Sequence, residues 1–180
     1  MTTPPDFTSG AILTAAQMNG IGLWLVKTQT IGSAVSSQAV TGAFSADYEA
    51  YKIIISGGVG STSADLQLTL GATAAGYYAG YSRTDYPSAA AALASNNGAS
   101  SWTRAGSGST DTLFANFDLI NPFLTKRTII NGFNAFQVTT LSGGAFGGFL
   151  DNATSYTGFT VTASTGTMTG GTIRVYGYRL

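Results

Sequence analysis

Proton-transfer chemistry has little to work with in this chain: there is no histidine, no cysteine, and among eight acidic residues a single glutamate, Glu49. Asp47 and Glu49 are the best-spaced pair. Two residues apart on a strand they share a face, and carboxylates about 5–9 Å apart can cleave a glycosidic bond. Beside Tyr48, at the entry to a strand, the same acids serve equally to cap a turn, and that reading is preferred. Asp111 and Asp118 differ in strand parity and would face opposite ways on one regular strand. Asp85 and Asp151-Asn152 stand alone, without calcium-loop spacing, although a symmetry axis could gather copies of one ligand around a hard cation. No catalytic residue, cofactor-binding residue or metal ligand is assigned, and the chain reads as a non-enzymatic structural or binding protein.

Recognition chemistry is better supplied. Tyr77, Tyr78, Tyr81 and Tyr86 surround Arg83 and Asp85 in a Gly-broken segment, and Trp102 follows. Exposed in loops, such rings contact a receptor, with sugar stacking one option. Enclosed, they are core or subunit-interface residues at a strand end, the commoner fate of aromatic side chains. Both readings stay open for these five residues. Trp24 reads as structural. Gly143 to Gly148 lacks the spacing, lysine and following helix of a phosphate loop, and fits a strand region where only glycine packs.

Charged residues make up 9% of the 180, against about 25% in an ordinary domain, and basic and acidic residues balance. Lys126-Arg127 is the only adjacent basic pair, so no phosphate-binding patch exists and nucleic acid is not an expected partner. The uncharged stretches 7–26 and 128–150 are too rich in Gly, Asn, Gln and Thr to span a membrane as helices. A surface this neutral suits packing against copies of itself or against other subunits.

The elements that would hold these residues are strands. Leu66, Leu68 and Leu70 alternate with polar residues, as do Leu113, Ala115, Phe117 and Leu119, then Phe159, Val161 and Ala163, then Ile173 and Val175. Tyr51 to Ser56 is β-branched and closes on Gly57-Gly58; Leu23 to Lys27 opens the series. Ser95 to Ser100 and Gly106 to Thr110 read as turns, and Ala89 to Ala92 could form a turn of helix. No fixed-period repeat is present. Residues 1–22 differ: Pro4-Pro5 is extended, and Thr14 with Gln17 forms a capping box over a helix at Ala15 to Asn19 that Gly20 and Gly22 stop. The expected architecture is all-β, a jelly-roll-like antiparallel sandwich over residues 23–180, preceded by an arm, residues 1–22, with one short helix. Phe7, Ile12, Leu13 and Met18 are the arm's apolar anchors.

The segment Phe7-Thr8-Ser9-Gly10-Ala11-Ile12-Leu13-Thr14-Ala15-Ala16-Gln17-Met18-Asn19 resembles the opening of many tailed-phage structural proteins, of the form F-x-x-G-x-x-L-T-A-A-x-M/L-N. Thr154 to Phe159 and Gly170 to Tyr178 resemble the last hairpin of small β-sandwich phage virion proteins, and Phe44, Tyr48, Tyr51, Ile53 and Ile55 resemble their opening strand. The resemblance implies a virion component, commonly trimeric, whose partners are copies of itself and other tail or capsid proteins. A tail-fibre or tail-tip subunit touching host surface glycan is the leading expectation, a capsid decoration or cement protein the alternative, and a glycan-degrading tail enzyme the outsider. The resemblance brings no catalytic residues and no cofactor with it.

Overall fold

The computed structural model describes residues 22–137 and 141–178, together with Gly10 and Ile12. Twelve strands account for the regular structure among them: β1 (Leu23–Thr30), β2 (Ser37–Val40), β3 (Ala50–Gly60), β4 (Ala64–Leu70), β5 (Tyr77–Asp85), β6 (Ala91–Ala99), β7 (Trp102–Gly108), β8 (Leu113–Ile120), β9 (Thr128–Gln137), β10 (Leu141–Leu150), β11 (Phe159–Ala163) and β12 (Met168–Tyr178). Among the described residues all pairings are antiparallel and the sheet does not close.

The sheet divides into two layers. The large one runs β1-β12-β3-β8-β9-β10-β5-β6 and the small one β2-β11-β4-β7. They are joined where Ser107 and Gly108 of β7 meet Phe114 and Leu113 of β8. The chain changes layer repeatedly, between β2 and β3, β3 and β4, β4 and β5, and again from β6 onward, which gives the sandwich its jelly-roll-like character.

Alternation decides what lies between the layers. Leu66, Leu68 and Leu70 of β4 and Phe159 and Val161 of β11 project inward from the small layer, all 2% exposed or less. They meet Ile53, Ile55, Ala115, Phe117, Leu119, Ile173 and Val175 of the large layer, none of them exposed. Aromatic contacts fasten the two: the Tyr77 and Trp102 rings meet edge to face at 4.9 Å, and Phe44 stacks on Phe159 at 5.7 Å. The Tyr51 hydroxyl accepts from the Ser45 N–H at 2.8 Å and donates to the Ser45 carbonyl at 3.0 Å, pinning the loop into β3.

Three local expectations change. β3 runs through Gly57-Gly58 to Gly60, because β12 passes so close that a Cβ on Gly171 (φ +85°) would lie 2.6 Å from the Gly58 nitrogen. Gly106 to Gly108 belongs to β7, since a Cβ on Gly106 would lie 2.6 Å from that of Ala115. Ala91 to Ala99 is strand β6 rather than a helical turn and a loop; pairing with β5 outweighs its weak local preference. The Ala15–Asn19 helix and the anchors Phe7, Leu13 and Met18 lie outside the described residues, and Ile12 is 90% exposed.

Candidate interaction face

The cross-strand registers of the large layer place one line of residues on its outward face. Leu23 pairs with Tyr178, Tyr178 with Ala50, Ala50 with Ile120, Ile120 with Ile129, Ile129 with Phe149, and Phe149 with Tyr78. Every member is apolar or aromatic, and the line crosses seven strands, about 29 Å at the usual strand spacing. Leu23 is 47% exposed and Ile129 41%. Tyr78 stacks on Phe149 at 5.2 Å, and the Arg127 guanidinium lies 5.4 Å from the Phe149 ring centre while Arg127 bonds Asp151. The line sits at the edge of the sheet where the arm enters, at Leu23.

The neighbouring row divides by chemistry. On one side the Asp118 carboxylate accepts from the Tyr178 hydroxyl at 2.7 Å and lies 3.5 Å from Lys52 Nζ. Burial, reinforced by that bond and the repulsion of Asp118, pushes the Tyr178 hydroxyl up to about 12. On the other side Gly147 of β10 pairs with Gly80 of β5, leaving a shallow trough of about 450 Å³ bordered by Ser82, Leu93 and Ala145. Phe133, opposite Ala145, stands 70% exposed, and Leu93, opposite Ser82, 82%.

Strand parity splits the tyrosine group. Tyr77 and Trp102 are wholly enclosed and Tyr81 nearly so, which removes these three as receptor contacts and makes them core. Tyr77 is fixed there because its hydroxyl accepts from the Leu70 N–H at 2.8 Å and donates to the Thr73 carbonyl at 3.1 Å; burial pushes it up to about 12. The Trp102 indole N–H donates to the Tyr78 carbonyl, and the Tyr81 hydroxyl to Asn96. Tyr78 joins the outward line. Tyr86, beyond the end of β5, is exposed, with its hydroxyl over Gly143.

Arg83 and Asp85 share the inner parity of β5 and form half of an ionic group at the open side of the sandwich. Arg83 Nε lies 3.4 Å from Asp85, and Arg104 Nε lies 3.4 Å from Asp65 with its guanidinium 5.6 Å from the Tyr81 ring centre. Desolvation raises the Asp65 carboxyl above its ordinary value against the pull of Arg104 and Arg83. Each arginine has its acid, so the group closes the side of the core without net charge. Asp47 sits in a turn, accepting from the Ser45 hydroxyl at 3.0 Å, rather than with Glu49 on a strand. Among the described residues no three acidic side chains gather as metal ligands would, and no helix is long and apolar enough to cross a membrane.

Leu93, Ile129, Phe133 and Phe149 escaped the sequence reading. The available signal was that β9 and β10 carry apolar residues on both parities, which a strand with a solvated face does not. No known protein family, curated protein or solved structure matches this chain.

Proposed function

We propose that this chain is a non-enzymatic structural subunit of a tailed-phage virion, of tail-fibre or tail-tip type, that assembles with copies of itself. The observation that carries this reading is the outward face of the large layer: an uninterrupted apolar line across seven strands, ending where an apolar arm joins the domain. Contiguous apolar surface of this extent marks a contact with another macromolecule. The phage-like opening motif of that arm names the setting. A capsid decoration protein is the second reading, favoured by a single sandwich without the fixed-period repeats from which fibre shafts are built.

Quantitative mass spectrometry of purified phage particles tests both. A few copies per particle supports the tail assignment, and hundreds support decoration of the head. Absence from particles that package the gene sinks the virion reading altogether.

A further inference from the structure

Of the four glycines in the run Gly143 to Gly148, two are hemmed in by backbone and a third lies under the side chain of Tyr86. A Cβ on Gly144 would lie 2.6 Å from Arg83 Cα, one on Gly148 2.7 Å from Ala79 Cα, and one on Gly143 would strike the Tyr86 ring. Gly147 is not confined: its Cβ would meet only the Ile130 carbonyl oxygen, at 3.8 Å. Its partner Gly80 would meet nothing within 4 Å. Neither has positive φ, so neither the backbone conformation nor the space around a Cβ demands glycine at either position. Glycine weakens a strand interior and marks a bulge, a bend, or a place where a ligand or another backbone approaches closely; the pairing at Gly80 and Gly147 runs without a bulge, which leaves close approach.

We propose that the occupant of this trough is a second copy of the chain, packed face to face about a two-fold axis so that Phe133 of each copy seats over Gly80 and Gly147 of the other. This rests on the reading of the chain as a self-assembling subunit and names the contact. The projecting ring and the hollow lie on one patch, the condition for an isologous contact. The charge fits: the outward positions of β9, β10, β5 and β6 carry no charged residue, and the charges of β5, Arg83 and Asp85, have the inner parity. The area fits as well. Four strands offer about 600 Å² per copy, about 1,200 Å² in a pair, above the roughly 1,000 Å² that separates specific interfaces from incidental contacts. A sugar fits less well, since the trough walls offer it little but Ser82 among polar side chains.

Sedimentation of the full chain at micromolar concentration tests the contact, with Gly147→Val and Phe133→Ser as variants. The wild type should be a dimer. Both variants should weaken it at least tenfold with unchanged circular dichroism, because valine at 147 has room in the single copy; Gly144→Val, which collides with β5, should instead disturb folding. A dimer indifferent to Gly147→Val overturns the proposal while self-assembly stands. So does a trimer, whether or not the variant dissociates it. A wild type that stays monomeric sinks the self-assembly reading itself, and one whose retention on host-envelope glycan is blocked by Gly147→Val gives the trough to a sugar.

Discussion

Tyr77 shows how one hydroxyl can serve two layers. It closes the N–H of Leu70 from the opposite sheet and donates to the turn that follows β4, all without exposure to water. Tyr77→Phe keeps the ring packing against Trp102 but strands the Leu70 N–H, and should cost about 1–3 kcal/mol in urea unfolding. The same residue sets a limit at high pH. Its folded-state value, about 12, lies above the ordinary value near 10, so the stability it contributes is complete below about pH 10 and is lost as pH rises through 12. Unfolding midpoints measured from pH 9 to 12 should fall more steeply for the wild type than for Tyr77→Phe; parallel curves would show that Tyr77 ionises freely in the fold. Inward and outward positions of β4 should differ as sharply: Leu68→Ala should cost about 2–5 kcal/mol and Gln67→Ala close to nothing, with equal losses refuting the register.

The arm and the sheets make separable contributions. Deleting residues 2–20 should leave the β circular-dichroism spectrum intact, since the inward residues of the described strands pack on one another across the two layers, and should abolish loading into particles; normal loading of the truncated chain would assign anchoring to the sandwich faces. Strands with one wet face were legible in the sequence, because a single apolar parity, as in Leu66-Leu68-Leu70 or Phe159-Val161, states both the period and the side that is buried. β6 was not legible: Ala91 to Ala99 holds small and polar residues of weak preference, and its pairing with β5 exists only in three dimensions. The tyrosine group was legible in composition but not in direction, since assigning Tyr77 and Tyr81 to the core and Tyr78 to the surface requires knowing where β5 begins. The apolar residues on both parities of β9 and β10 were legible, but not their union into one outward line, because its members come from seven strands in an order that only the registers reveal.

In the assembled molecule, a charge-poor apolar contact should respond to salt in the opposite sense to an ionic one. Raising sodium sulfate should strengthen self-association, as exclusion of the salt favours burial of apolar surface, whereas dissociation on adding sodium chloride, measured by sedimentation, would show that ion pairs hold the copies together. The layer-crossing path has a consequence in time. Among the described residues β1 has one neighbour in the sheet, β12, and Leu23 pairs with Tyr178. A ribosome delivers residues at about 5–20 per second, so the first strand waits many seconds, unpaired, for the last to emerge. The β1 side of the large sheet therefore forms only once β12 has emerged, and until then the nascent chain shows its sticky strands to chaperones and to sister chains on the same messenger.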